Sequence, residues 1–288
     1  MADLSTRELG EIDLANRSNR RPVVFVHGLW LLASSWDPWR EFFEQQGYAT
    51  LAPGWPDDPA TVEEARRNPE VFARKTVQQV TDRYLAAISQ LSKRPLVVGH
   101  SFGGLIAQKI AGGGAAAATV AIVPAPFRGV LPLPRSALKS ALPVLGNPAN
   151  RNRAVALTFE QFNYGWTEQL PPQEARRLYD TFHVATSGIP LFEAATANLN
   201  PRTGAKVDTR HPRRGPLLIL AGERDNTVPW AISNASYNQQ RKNTAPTEIT
   251  ELKGRGHSLI LDHGWREVAE TTLDFFQRHE PAGSGATG

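Results

Sequence analysis

Pro95-Leu96-Val97-Val98-Gly99-His100-Ser101-Phe102-Gly103 runs from an apolar stretch into a serine held between two glycines, and Leu105-Ile106-Ala107-Gln108-Lys109-Ile110 follows with helical patterning. The apolar run predicts a buried strand, the stretch after it a helix, and the glycines a turn too tight for side chains at 99 and 103. A strand, turn and helix in that order lift the hydroxyl of Ser101 above the carboxyl edge of a sheet, the form of a nucleophile elbow. The helix that starts at Phe102 aims free N–H groups and its positive dipole end at the same spot, where negative charge would gather. Taken alone, G-x-S-x-G also describes plain serine turns; its flanks decide for the elbow.

Outward from the elbow, strand-like runs alternate with helical ones. Val23-Val24-Phe25-Val26 is a short continuous apolar run, as expected of a strand buried on both faces, and ends at His27-Gly28. Ser34-Ser35 offers a cap for a helix through Trp36, Trp39 and Phe42-Phe43, closed by Gly47. Tyr48 to Ala52 reads as the next strand and Phe72 to Leu91 keeps helical spacing. After the elbow helix, Gly112-Gly113-Gly114 stops the turn and Ala118 to Val123 forms another strand. The alternation lapses from Pro124 to Pro212, which is rich in proline, arginine and aromatics. It resumes with a strand over Pro216 to Ala221, a helix from Trp230 to Arg241, a strand around Glu248 to Leu252 and a helix from Trp265 to His279. This predicts an α/β fold, with a mostly parallel central sheet flanked by helices on both faces and an inserted, mainly helical cap. The expected core is 21–124 and 213–280, with the cap over 125–212. The small, polar residues 281–288 are expected to form a disordered tail.

Composition narrows the function classes. The 288 residues contain no cysteine, which excludes disulfides, thiol catalysis and cysteine metal sites. No apolar stretch approaches the roughly 20 residues of a membrane helix. Met1 to Arg21 has no apolar signal core, so a cytoplasmic protein is expected. The net charge of +4 is unevenly placed: Ala125 to Gly215 holds twelve Lys and Arg against six acids, so that segment carries +6 and the rest −2. A solvated surface explains this; a basic lid that attracts anionic substrates is the functional alternative. No basic helix stripe or aromatic–basic motif points to nucleic acid.

A serine nucleophile needs a base, and the base an orienting acid. Of seven histidines, His27 ends the first strand, and His100 lies inside the elbow, expected to point away from the serine's face. His183 and His211 fall in the cap, and His263 and His279 border the last helix. His257 lies in Gly254-Arg255-Gly256-His257-Ser258, just after the last strand, where loops gather at the edge that carries Ser101. Asp225 follows the strand that resumes the alternation and gives the order serine, acid, histidine. Glu223 is its near competitor. For the oxyanion, the candidate donors are the amides of Phe102 and of Leu29 in His27-Gly28-Leu29-Trp30, with His27 holding that loop by a hydrogen bond.

V-H-G-L-W, G-H-S-F-G-G, G-E-R-D-N-T-V-P and G-R-G-H-S, in this order, resemble the signatures of α/β-hydrolase fold enzymes over about Arg21 to His279. The resemblance implies a triad of Ser101, Asp225 and His257, a lid formed by the insertion, and a serine esterase- or lipase-like activity. One departure is the stretch before Val23, too short for the usual first strand pair, so a truncated sheet is expected. The expected reaction is cofactor-free hydrolysis of a small-molecule apolar carboxylic ester through an acyl-enzyme. Lactone, thioester or C–C cleavage, peracid formation, and a non-catalytic ligand-binding protein on the same fold stay open as alternatives. Trp30, Phe127, Phe162, Tyr164, Trp230 and Leu259 are the candidate substrate-binding residues. Neither a metal, a nucleic acid nor a membrane is expected as partner.

Overall fold

Residues 4–279 are described by the computed structural model; the tail expected over residues 281–288 lies outside the described residues. The chain opens with α1 (Thr6–Arg17), β1 (Pro22–Val26), α2 (Asp37–Gln45), β2 (Ala49–Leu51), α3 (Val62–Arg67), α4 (Val77–Ser89), β3 (Leu96–His100), α5 (Phe102–Gly112) and β4 (Ala118–Ile122). The inserted segment holds α6 (Arg135–Leu145), β5 (Ala154–Val155), α7 (Phe159–Phe162), α8 (Pro172–Phe182), β6 (Thr186–Ser187) and α9 (Ile189–Ala195). The chain closes with β7 (Leu217–Gly222), α10 (Trp230–Gln240), β8 (Thr247–Leu252) and α11 (Trp265–His279).

Six strands form one parallel sheet in the order β2-β1-β3-β4-β7-β8. After β1 the chain steps outward to β2 and then returns to lay β3 on the other side of β1. The sheet therefore has a topological switch point between β1 and β3, where crevices form at the carboxyl edge. Val26 pairs with Gly99 across that point, so His27-Gly28 and Ser101 leave the sheet side by side.

β1, β3, β4 and β7 are buried along their whole length, which is why they read as largely apolar runs, with Thr119 and His100 the polar exceptions. On one face Phe25 meets Trp36, Trp39 and Phe43, and Phe43 meets Phe276, joining α2 and α11 to the sheet through rings. On the other face α5 packs with α4, and Gln108 accepts from Ser236 Oγ and Gln240 Nε2, both at 3.0 Å, to fix α10 beside α5. The edge strand β8 carries Thr247, Glu248, Thr250 and Glu251, polar side chains suited to an exposed edge.

Arg214 is fully buried without a carboxylate partner. Its guanidinium donates instead to the carbonyls of Gly215, Gln240, Ala245 and Pro246 and to Thr247 Oγ1, between 2.9 and 3.0 Å, clamping the chain where β7, α10 and β8 converge. Burial pushes its pKa down to about 10, which leaves it charged at neutral pH.

Three local expectations are corrected. α1 occupies the polar stretch before β1, where no element was expected: Ser5 and Glu8 form a reciprocal capping box, and Glu8 turns inward to Arg83 at 2.6 Å. Ser35 does not cap α2. Its hydroxyl donates to Leu32 O at 2.7 Å inside a short 3₁₀ turn over Ala33–Trp36 that leads into Asp37. The helix read over Phe72 to Leu91 divides, because Thr76 and Gln79 form a capping box that starts α4 at Val77.

Within the inserted segment, β5 and β6 pair antiparallel, a small sheet amid otherwise helical structure. The segment's last part lies back on α5, where Lys109 Nζ donates to Gly204 O at 2.6 Å and Arg128 N to Ala205 O at 2.8 Å.

Candidate active site

The turn after β3 puts Ser101 at φ 56° and ψ −120°, a strained backbone for a residue with a side chain. The strain is held by neighbours: Ser101 N donates to Ile122 O, and Ala125 N to Ser101 O, each at 2.9 Å. A Cβ at Gly99 would fall inside the Gly103 carbonyl, and one at Gly103 inside that of Val26, so the turn admits only glycine at both places.

Loops after β7 and β8 bring two more side chains to this point. His257 Nδ1 donates to Asp225 Oδ2 at 2.7 Å, and His257 Nε2 accepts from Ser101 Oγ at 3.0 Å, the tautomer that satisfies both partners. The other Asp225 oxygen accepts the amides of Thr227 and Val228 at 2.7 and 2.8 Å, so the carboxylate has one orientation. The His257 and Asp225 side chains are fully buried. Glu223 faces elsewhere: it accepts from Gly254 N at 2.7 Å and stays partly exposed, tying the acid loop to the histidine loop.

Behind His257 the loop is braced by Arg255 on Asp262, which also accepts from Ser258 Oγ at 3.1 Å and Gly264 N at 3.0 Å. Burial raises the pKa of Asp262, against the pull of Arg255. Asp262 therefore supports the loop as well as preceding α11.

Phe102 N is the first amide of α5, one of those a helix leaves without an internal acceptor. The loop after β1 closes on the same spot, since a Cβ at Gly28 would come within 3.0 Å of Ser101 Cβ and 2.9 Å of His100 O. Leu29 follows in this loop, and Trp30 adopts φ 61°. His27 holds the loop: Nδ1 donates to Gly28 O at 2.9 Å, Asp58 Oδ2 lies 3.1 Å from Nε2, and Trp55 stacks on the ring while donating to His27 O at 3.2 Å.

Two further residues touch His257. The ring of His100, expected to point away from the serine's face, lies against the imidazole with centroids 4.9 Å apart, and its Nε2 donates to His257 O at 2.8 Å. Burial pushes the pKa of His100 well below the usual histidine value, so the ring is neutral and donates through one nitrogen only. From the inserted segment, Trp166 meets the His257 ring edge-on at 4.8 Å. Trp166 sits in a π-helical turn over Asn163–Thr167, a rare form that often marks functional sites. That turn is stitched to the acid loop: Asn226 Nδ2 donates to Tyr164 O at 3.0 Å, Thr227 Oγ1 to Gly165 O at 2.8 Å, and Gln169 Nε2 to Arg224 O at 2.9 Å. His100 carries a sequence signal, its place beside the nucleophile. Trp166 carries none beyond being a cap aromatic.

A cavity of about 180 Å³ opens over Ser101 and Phe102. Its wall is aliphatic, drawn from Val130, Leu138, Leu191 and Ile232 among others, and has no charged residue. Its polar side chains are mostly spent on protein partners: Ser140 Oγ and Thr227 Oγ1 bond each other at 2.8 Å, and Asn198 bonds Gly129 N and Val130 O. Of the six candidate substrate-binding residues only Trp30 lines this cavity. Phe127 and Leu259 are buried in the core, and Phe162 stacks on Trp166 at 5.3 Å. Tyr164 lies beneath Lys139 Nζ, 3.8 Å from its ring centre, and Trp230 begins α10 without joining the cavity wall. The segment uses its aromatics to pack itself, and leucines and alanines of α6, α9 and the irregular stretch before α6 face the cavity instead.

A serine, an imidazole and a carboxylate in hydrogen-bonded series, beside free amides and under an apolar cavity, can carry out acyl transfer. Among the described residues, no helix is long and apolar enough to cross a membrane.

Residues 23–271 match the model of the alpha/beta hydrolase family. No curated protein matches the chain in sequence. Among solved structures, a monoacylglycerol lipase of Paleococcus ferrophilus superposes with TM-score 0.63 at 20% identity, over 90% of this chain and 95% of that one. An extracellular alpha/beta-hydrolase from a Paenibacillus species gives 0.63 at 20% identity, over 88% and 98%. A pyrethroid hydrolase from Sphingobium faniae JZ-2 gives 0.60 at 16% identity, over 89% and 97%. At these identities the likeness is one of fold.

Proposed function

The chain belongs to the alpha/beta hydrolase family, and on that premise we propose that it hydrolyses carboxylic esters of apolar, uncharged character, with Ser101 as nucleophile. The observation that carries the proposal is the series Ser101 Oγ, His257 Nε2, His257 Nδ1 and Asp225 Oδ2, with its 3.0 and 2.7 Å spacings. Ser101 Oγ attacks the ester carbonyl while His257 Nε2 takes its proton, and Asp225 stabilises the imidazolium. The amides of Phe102 and Leu29 hold the oxyanion. The tetrahedral intermediate then collapses: the alcohol leaves with the proton from His257, and Ser101 keeps the acyl group. A water, deprotonated by His257, attacks the acyl-enzyme and releases the acid, returning the proton to Ser101.

The uncharged wall favours an apolar substrate, since a charged group brought there would lose its hydration without a partner. The lipase and pyrethroid hydrolase neighbours bear names in keeping with such substrates.

A fluorophosphonate probe tests the proposal directly. Ser101 should be labelled in the native protein, and Ser101→Ala should lose labelling and about four to six orders of magnitude of p-nitrophenyl ester turnover. An unlabelled serine in the folded protein would assign the fold to ligand binding instead.

A further inference from the structure

Exposed large apolar residues are concentrated at the mouth of the cavity. Leu131, Leu133 and Leu138 line it while remaining 76%, 72% and 43% exposed, and Leu142, one helical turn beyond Leu138 on α6, is 51% exposed. Four leucines that a folded chain leaves in water at one place, around an opening, mark a surface with an occupant.

The charges beside them have one sign. From Arg83 to Phe159 the sequence contains no aspartate or glutamate, and Ala125 to Phe159 contains Arg128, Arg135, Lys139, Arg151 and Arg153. Arg135 and Lys139 stand on α6 among the exposed leucines, both exposed themselves. Arg128, Arg135 and Lys139 enter none of the ion pairs among the described residues; Lys139 lies over the Tyr164 ring.

We propose that this rim docks on an anionic lipid surface, with Leu131, Leu133, Leu138 and Leu142 in the interface and Arg135 and Lys139 on its headgroups. Apolar side chains flanked by cations are the composition that such a surface binds. A second copy of the chain fits the same patch poorly, because a twofold contact would set cations against cations with no acid between them. A partner protein seated there would also cover the mouth, whereas a lipid surface leaves it facing a phase that can hold apolar esters. Among the described residues no helix is long and apolar enough to cross a membrane; adsorption by a rim of side chains needs none. Only the benefit of docking, delivery of an ester, rests on the function proposed above.

Cosedimentation with phosphatidylglycerol vesicles, with phosphatidylcholine vesicles for comparison, measures the binding. The native protein and Ser101→Ala should bind the anionic vesicles alike, and added salt should weaken both. Arg135→Gln with Lys139→Gln should lower the partition coefficient about 30-fold, near fivefold per lost charge. Leu142→Ser should lower it several-fold. These variants lie outside the cavity wall and should hydrolyse a soluble p-nitrophenyl ester at the native rate. No binding to anionic vesicles, or binding that the variants leave unchanged, would overturn the inference. So would sedimentation velocity showing a dimer that Leu142→Ser dissociates. Loss of fluorophosphonate labelling with vesicle binding intact would refute the proposed hydrolysis alone.

Discussion

The Nε2 of His100 lies 2.8 Å from the backbone oxygen of His257, so the residue before the nucleophile holds the chain that carries the base. The bond joins β3 to the loop after β8 across the site. Its donor is a neutral ring whose Nδ1 has no hydrogen-bond partner, a poor choice for stability alone.

His100→Leu should leave the His257 carbonyl unsatisfied and lower kcat by about ten- to a hundredfold, at roughly 1.4 kcal/mol per factor of ten, with KM little changed. His100→Gln places an amide nitrogen near the Nε2 position and should recover most of the loss. The proton shared by His257 Nδ1 and Asp225, observed downfield by NMR, should broaden or shift in the leucine variant and return with glutamine. A kcat that follows only the melting temperature across the two variants would reduce His100 to a packing residue.

The two acidic residues after β7 should separate cleanly. Asp225→Asn spoils the tautomer that His257 needs, and should cost about 10⁴ in kcat. Glu223→Gln only loosens the tie to Gly254 and should change kcat less than tenfold. Steady-state kinetics on one p-nitrophenyl ester decides between them, and equal losses would show that both carboxylates serve His257.

α1 is anchored by a buried ion pair, Glu8 to Arg83 at 2.6 Å. Glu8→Gln removes the negative charge from this pair while leaving the Arg83 bond to Gly54 O in place. Breaking such a pair costs about 3–5 kcal/mol, or roughly 10 °C in Tm for a chain of this size. Calorimetry should show that loss, with kcat at 25 °C unchanged because the pair stands away from Ser101.

Acid should destabilise the fold through buried histidines. Burial, with help from Arg66, holds the pKa of His183 down to about 4, and its Nε2 accepts from Leu157 N at 3.1 Å. Between the usual histidine value and pH 4 the unfolded chain binds a proton that the folded one does not, so stability falls as pH falls through that window. At pH 5 His183 alone should cost about 2 kcal/mol relative to neutral pH, and His100 acts in the same direction. His183→Leu should have a lower Tm at pH 7.5 but a flatter Tm between pH 7.5 and 5. Parallel slopes in the two proteins would place the acid sensitivity elsewhere.

The sheet was legible because β1, β3, β4 and β7 are buried on both faces and are therefore almost wholly apolar. Ser101, Asp225 and His257 were legible because each follows a strand, and parallel strands deliver the residues after them to one edge. α1 was not, since its stabilising contact is polar: the S-x-x-E of Ser5 and Glu8 was the available signal, without an apolar run behind it. The cavity wall was hidden for a different reason. Aromatics suggest a pocket, yet Phe162, Tyr164 and Trp166 pack within the inserted segment and against His257. The residues that do line the cavity are leucines and alanines, which have no mark in sequence to separate them from core.

The inserted segment meets His257 and the acid loop over Asn163 to Gln169, with Ser140 of α6 also bonded to Thr227, while the rest of α6 and α9 shape the cavity. That division decides how the protein can be re-tooled. Exchanges over 130–138 and 189–198 alter the cavity wall while leaving the bond of Ser140 to Thr227 in place. A graft that shifts 163–169 by even one residue changes the register of Trp166 against His257, so the shape of the cavity and the support of His257 fall largely to different parts of the inserted segment.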